Sequence, residues 1–347
     1  MGWSPLLVSS VESDGRCSYR LGHELVDEFL EFAAGRCRPN TVRAYAHDLK
    51  AFFGVVGKDP GEVTSRDVLA FVVAQQRPRP GAENLVRISD GGAGLSASTI
   101  KRRLAAVSSL FGYLVVRGDA GVGANPVPRG LPTRRSRHRD QVGVPLVRGV
   151  RRLPQILEAG EVDALLAAVR TVRDRAMIEA MLLGGLRRCE VLGLRLADLR
   201  LGEWRVFIAD GKGGHQRLVP ISQTFFVTVA AYLNDERPAE AVTDRVFVAL
   251  KGPRRGQPLS ADGLDEVLTG ARERAGLAGG TCHELRHTCF TRLRQAGMPI
   301  EALQAQAGHR SIASTRVYLH LGDDWLAGEY RRAAEAIEAQ AMIGTAR

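Results

Sequence analysis

Apolar positions recur with helical spacing along most of the chain. Across residues 21–118 the pattern resolves into four helices, the second of which carries Val42, Tyr45, Leu49, Phe52 and Phe53 on one stripe. Another helix opens near Ser96 or Ser98, residues whose hydroxyls cap free N–H groups, and turns Ile100, Leu104, Val107, Leu110, Phe111 and Leu114 inward. Residues 77–95, rich in Pro and Gly, read as a loop or a disordered insertion. From Leu153 onward the helical period returns. It is interrupted where residues 204–208 and 217–221 flank Asp210-Gly211-Lys212-Gly213-Gly214, a pattern that predicts a β-hairpin with Lys212 at its tip. The expected fold class is mainly α with a small β-hairpin or sheet. A length of 347 residues suggests two domains.

Charge changes the picture. Lys plus Arg exceed Asp plus Glu by 48 to 38, a net charge of +10 that favours a polyanionic partner, nucleic acid first among them. Much of the excess lies between residues 129 and 152, where Arg129, Arg134, Arg135, Arg137, Arg139, Arg148, Arg151 and Arg152 face a single Asp140. With Pro126, Pro128, Pro132 and Pro145 nearby, this stretch reads as an interdomain linker, either merely solvated or laid along a phosphate backbone. Lys101, Arg102 and Arg103 oppose the apolar stripe of their helix, and Arg43 lies on the second helix. These four are candidate phosphate contacts or a solvated helix face. The five cysteines are odd in number and lack CxxC spacing, which suggests neither a disulfide framework nor a zinc site. No membrane span or signal peptide is evident, so a cytoplasmic, nucleoid-associated location is expected.

Three local patterns carry chemistry. A strongly apolar segment ending on Gly184-Gly185 presents Arg187, and Glu190 stands three positions on, where it can orient the guanidinium. Taken alone this reads as a structural ion pair. Thr281 and Glu284 form a capping-box pattern that starts a helix, on which a spacing of three places His283 and Arg286 on one face and displays them together. Leu285, Cys289 and Leu293 form the apolar stripe of the same helix. A helix N-terminus with both side chains suits an anion. Finally, Gly308-His309 leads toward Tyr318. A lone tyrosine is usually structural, so it is the ordered set Arg187, Lys212, His283, Arg286, His309 and Tyr318 that points to a reactive site.

In this set the chain resembles the tyrosine recombinase, or phage integrase, family. The resemblance rests on the arginine box at residues 185–190, the Gly211-Lys212-Gly213-Gly214 hairpin, the box at residues 283–287, Gly308-His309 and the Tyr318 segment, and spans residues 153–320. More loosely, residues 21–118 look like the family's helical core-binding domain. Gly184 and Ala307 depart from the usual threonine and leucine of the family without replacing a chemical group. The resemblance implies a two-domain, C-shaped DNA clamp, with a helical, SAM-like core-binding domain and a mixed α/β catalytic domain. The expected layout is an N-terminal tail (1–20), core-binding domain (21–125), basic linker (126–152), catalytic domain (153–325) and a C-terminal helix or tail (326–347) that packs on a neighbouring protomer.

It also implies roles. Tyr318 would attack the scissile phosphate, His283 would act as base or hydrogen-bond partner, and Arg187, Arg286 and His309 would stabilise the oxygens. Lys212 would protonate the 5′ oxygen, and Glu190 would support without reacting. The 3′-phosphotyrosyl bond would conserve the phosphodiester energy, so neither metal, ATP nor any other cofactor is expected. The implied partners are double-stranded recombination sites, a homotetramer on paired sites and an accessory directionality factor. A type IB topoisomerase, or a DNA-binding regulator keeping the fold without catalysis, are the rival readings; the full residue set weighs against the latter.

Overall fold

A computed structural model describes residues 3–12, 17–78, 94–128, 130, 145–148, 155–209, 216–308 and 315. Their contacts divide between two units, Met1–Arg151 and Arg152–Arg347.

Four α-helices build the first unit, as the periodicity predicts: α1 (Glu24–Arg36), α2 (Pro39–Val56), α3 (Ser65–Gln76) and α4 (Ala97–Arg117). Pro39 starts α2 where its missing N–H costs nothing, and Gly57 ends it in the left-handed region at φ 62°. Ser96 rather than Ser98 caps α4, its Oγ accepting the Thr99 N–H at 3.3 Å. Val42, Leu49, Phe52 and Phe53 of α2 are buried against Phe29 and Leu30 of α1, Phe71 of α3 and the inward residues of α4. Each such side chain contributes about 1.5–3 kcal/mol on burial, so this cluster outweighs any ion pair on the unit's surface. Tyr45 is only half-buried, stacked 5.7 Å from Phe29 with its hydroxyl 3.4 Å from Ser109 Oγ. Most of the Pro- and Gly-rich stretch at 77–95 lies outside the described residues.

The segment expected as a tail instead carries an antiparallel ribbon, β1 (Val8–Val11) paired with β2 (Cys17–Arg20), in the register Val8↔Arg20 to Val11↔Cys17. Every residue of β1 is exposed, so the strand has no one-sided apolar alternation from which it could be read. Trp3, Leu7 and Tyr19 anchor the ribbon to the helical core.

In the second unit α5 (Ala159–Ala167), α6 (Val172–Gly184) and α7 (Arg188–Gly193) precede a three-stranded antiparallel sheet of β3 (Leu199–Arg200), β4 (Arg205–Ile208) and β5 (Arg217–Pro220), in that order. The predicted hairpin is β4–β5, with Arg205↔Pro220 and Ile208↔Arg217 closing its register. Val206, Ile208 and Val219 face the core, while β3 is too short to leave a pattern in sequence. Beyond the sheet come α8 (Gln223–Ala231), which runs into a π-helical turn at Tyr232–Glu236, then α9 (Ala261–Ala275), α10 (Cys282–Gln295) and α11 (Ile300–Ala307). Helix α6 is buried on nearly every side because α8 and α10 both pack on it. The fold is mainly helical with small sheets, as expected. Among the described residues no helix is long and apolar enough to cross a membrane, and all five cysteines are unpaired.

Candidate active site

The apolar run of α6 stops because Gly185 turns the chain. Its φ is +65°, its N–H bonds to the Met181 carbonyl at 3.1 Å, and Leu186 N–H reaches back to the Ala180 carbonyl at 3.2 Å. Only glycine fits this turn, since a Cβ would come 2.5 Å from the Phe290 ring. The turn delivers Arg187 to the N-cap of α7. Glu190, at the third helical position, accepts the Arg187 backbone N–H at 2.9 Å through Oε2 and the Arg187 Nη1 at 2.7 Å through Oε1. The predicted orienting contact is thus made, with the Glu190 side chain fully buried.

Helix α10 starts as the Thr281-x-x-Glu284 spacing predicts. Thr281 Oγ1 accepts the Glu284 N–H at 3.3 Å, while Glu284 Oε2 accepts the N–H groups of Gly280 at 2.7 Å and Thr281 at 2.8 Å. The expected joint display of His283 and Arg286 is corrected, however. His283 sits at the solvent edge, whereas Arg286 is 3% exposed. Its Nη1 donates to the Gly185 carbonyl and its Nη2 to the Ala307 carbonyl at 2.7 Å, and its guanidinium lies 4.7 Å from the Phe290 ring centre. The same Nη1 stands 4.0 Å from Glu190 Oε2. A spacing of three brings two side chains near one another, but Leu285, Cys289 and Phe290 draw this face of α10 into the core.

Two neighbours were not anticipated. Arg217, the first residue of β5, closes a two-pronged ion pair on Glu190, Nη1 to Oε1 at 3.0 Å and Nη2 to Oε2 at 2.9 Å, and its Nε donates to the Gln306 carbonyl at 3.2 Å. The signal was present: alternation along β5 places Arg217 on the same side as buried Val219. His287 lies one turn after His283, with the two Nε2 atoms 2.9 Å apart and the rings 4.3 Å apart in an edge arrangement. The i, i+4 spacing would have found it.

Burial alone would push the Glu190 carboxyl up. Hydrogen bonding and charge from Arg217, with the Arg187 N–H and guanidinium, overcome that and hold it below the usual carboxylate range. Partial burial, reinforced by Arg286 and Arg187, lowers His283 against the opposing pull of Glu284. His287 is pushed down to about 4, by burial first and then by His283 and Arg286. Both imidazoles are therefore neutral at pH 7, and one Nε2 donates to the other. Three guanidinium groups round one fixed carboxylate leave the cluster cationic, beside a neutral histidine able to take a proton.

Lys212, His309 and Tyr318 lie outside the described residues, as do Arg134, Arg135, Arg137 and Arg139 of the linker and residues 325–342. In the first unit Arg43 is exposed and, with His47, lines a cleft beside the ribbon residues Ser9, Ser10 and Tyr19. Lys101 is exposed, but Arg102 and Arg103 are turned back onto the protein. Arg102 Nη1 pairs with buried Asp48 at 2.5 Å, and Arg103 has its Nε 3.7 Å from that carboxylate and its Nη1 on Gln75. Among the described residues no three His, Cys, Asp or Glu side chains are grouped to hold a metal ion.

Residues 155–324 match the phage integrase family, and residues 26–118 match the phage integrase N-terminal SAM-like domain. Tyrosine recombinase XerD of Mycobacterium tuberculosis (strain ATCC 25618 / H37Rv) is 32% identical over 285 residues, 80% of this chain and 86% of the relative. Tyrosine recombinase XerD of Listeria monocytogenes serotype 4b (strain F2365) is 26% identical over 316 residues, 86% of this chain and 94% of the relative. In fold, the chain is similar to the Tn1549 transposon integrase in complex with transposon right end DNA, with a TM-score of 0.66 at 18% identity, covering 89% of this chain and 99% of that one.

Proposed function

We propose, from the premise that this chain belongs to the phage integrase family of tyrosine recombinases, that it breaks and rejoins DNA at defined sites through a covalent tyrosyl intermediate. The observation that carries the chemistry is the convergence of Arg187 and Arg286, distant in sequence, on the buried carboxylate of Glu190 beside a neutral His283. A phosphodiester in transfer gathers negative charge on its nonbridging oxygens, and preorganised guanidinium forks stabilise that charge at no cost of reorganisation. A tyrosine hydroxyl, with a pKa of about 10, needs help to attack at neutral pH.

In this reading the Tyr318 oxygen bonds to phosphorus as its proton passes to His283. The bond from phosphorus to the 5′ oxygen breaks, and Lys212 supplies the proton that makes the 5′ hydroxyl. The 3′-phosphotyrosyl bond then yields to a 5′ hydroxyl from another strand by the reverse sequence. His309 adds a donor to the phosphate. Partners are paired double-stranded sites held by a homotetramer, with residues 326–347 reaching a neighbouring protomer and Arg43, Lys101 and residues 134–139 meeting phosphates.

The test is covalent capture. Purified protein incubated with fragmented DNA from its own source and denatured should retain DNA on Tyr318, and sequencing of the retained ends should give a recurrent site. Tyr318→Phe should lose more than 1000-fold of the adduct on the scale expected for a missing nucleophile. Adduct persisting in Tyr318→Phe would refute the assignment, and relaxation of supercoils by the monomer at no defined site would replace recombination with topoisomerase activity.

A further inference from the structure

We infer that Arg217 is a positioning residue of this site, holding Arg187 and the C-terminal end of α11 in one geometry; the inference rests on the recombinase reading above. No role in the proposed transfer falls to Arg217, yet its side chain ties the buried carboxylate of the cluster to the end of α11. Its two terminal nitrogens occupy both oxygens of Glu190, at 3.0 and 2.9 Å, and Glu190 in turn holds the Arg187 guanidinium at 2.7 Å. Its Nε takes the carbonyl of Gln306 at 3.2 Å, next to the Ala307 carbonyl that Arg286 takes at 2.7 Å. Two arginines from two different elements thus clamp successive carbonyls at the end of α11, just before Gly308-His309 in sequence. Arg217 is also the first residue of β5, five positions after Lys212 in sequence.

The surroundings fit the fork closely. The side chain is only 12% exposed, and Glu190 opposite it is fully buried. Gly308 caps α11 at φ +60°, and a Cβ there would approach Arg217 Nη1 to 2.9 Å, so the glycine leaves the space that the guanidinium fills. The Gln306 side chain braces the same joint, its Nε2 donating to the Pro220 carbonyl at 2.9 Å and the Gly184 carbonyl at 3.2 Å. A planar fork with a third donor can satisfy a carboxylate and a carbonyl at once; a lysine ammonium cannot reproduce that geometry. Loss of the fork frees Glu190, and with it Arg187, to shift by the order of an ångström. Displacements on that scale cost about 100-fold in rate when reacting groups must be aligned.

The test uses the full chain and a nicked duplex bearing the site recovered by covalent capture. Adduct formation is followed in single turnover over a range of DNA concentrations for wild type, Arg217→Lys, Arg217→Met, Glu190→Gln and the Arg217→Met/Glu190→Gln pair. Arg217→Lys should fold, bind the duplex with unchanged affinity and form adduct at saturation about 10- to 100-fold more slowly. Arg217→Met should be at least as slow, and in the double variant it should add little to the loss from Glu190→Gln, because Arg217 acts through that carboxylate. A merely structural arginine would lower the melting temperature and the folded fraction but leave the saturated rate of the folded protein unchanged. That outcome, a defect confined to DNA affinity, or multiplicative losses in the double variant would overturn the inference. Failure of wild type to form any adduct would defeat the recombinase reading, and this inference with it.

Discussion

Each unit of the molecule buries a carboxylate faced by more than one arginine, Asp48 in the first and Glu190 in the second, and the two behave in opposite ways. Asp48 in α2 has a side chain 2% exposed, yet its short contact is to an Arg102 that is 52% exposed, and Arg103 Nε remains 3.7 Å away. Burial wins, and the Asp48 carboxyl is pushed up despite Arg102, Arg103 and His47. Glu190 is fully buried, but Arg217 closes on it with two prongs while Arg187 gives it both a backbone N–H and a guanidinium nitrogen. Here the hydrogen bonds win and the carboxyl is held down. What decides is the number of well-placed donors, since an opposite charge nearby does not by itself replace lost hydration. A carboxylate satisfied in this way is a fixed anion around which cations can be arranged; Asp48 fastens α4 to α2.

Truncation should expose this difference most strongly. Glu190→Ala leaves Arg217 largely buried without its anion, a loss of about 3–5 kcal/mol in the unfolding free energy of the second unit. Asp48→Ala returns an already exposed Arg102 to water and should cost the first unit about 1 kcal/mol or less. Urea titrations of the full chain, with the two units followed as separate transitions, give both values. Equal losses would mean that donor count does not distinguish the sites.

Two helix-ending glycines carry the comparison to the backbone. Gly118 closes α4 at φ +81° with nothing within 4 Å of an added Cβ, whereas at Gly185, φ +65°, that atom would meet the Phe290 ring at 2.5 Å. Gly118→Ala should therefore show only the left-handed penalty, about 1 kcal/mol. Gly185→Ala should add overpacking of about 1–3 kcal/mol. It should also slow adduct formation, because Phe290 lies under the Arg286 guanidinium and Gly185 supplies one of its carbonyl acceptors. Matching unfolding energies for the two variants would show that the Phe290 ring yields freely and that the site is softer than its contacts indicate.

The helices were legible because their stripes and caps are local. Ser96, Thr281 and Glu284 act within four residues of themselves, and Val42, Leu49 and Phe52 repeat at the helical period. Arg187 with Glu190 was legible for the same reason. What escaped depends on contacts between elements. Arg217 meets Glu190 only because β5 passes α7, and Arg102 is lost as a free cation only because α2 brings Asp48 to it. Arg286 read as a displayed charge because an arginine in sequence carries no sign of the carbonyls waiting for it at Gly185 and Ala307. The ribbon β1–β2 stayed hidden because β1, wholly exposed, has no buried side to impose alternation.

The smallest effect expected is on the slope of stability with pH, and here the two carboxylates should differ in sign. Because the Glu190 pKa is lowered on folding, its stabilisation is present above the ordinary glutamate value of 4.5 and is lost as pH falls through the folded value. The Asp48 pKa is raised above the ordinary 3.8, so the folded state holds that proton more tightly and gains stability as pH falls through the raised value. Glu190→Gln should consequently flatten the acid limb of the stability curve of the second unit, and Asp48→Asn should steepen that of the first. Neither change can exceed about 1.4 kcal/mol per pH unit, the slope set by a single proton. Unfolding free energies measured from pH 7 down to pH 3 would separate them. If both variants moved the slope in the same direction, the opposition between a hydrated-out aspartate and a fully satisfied glutamate would fail, and with it the reason for regarding Glu190 as the fixed anion of the site.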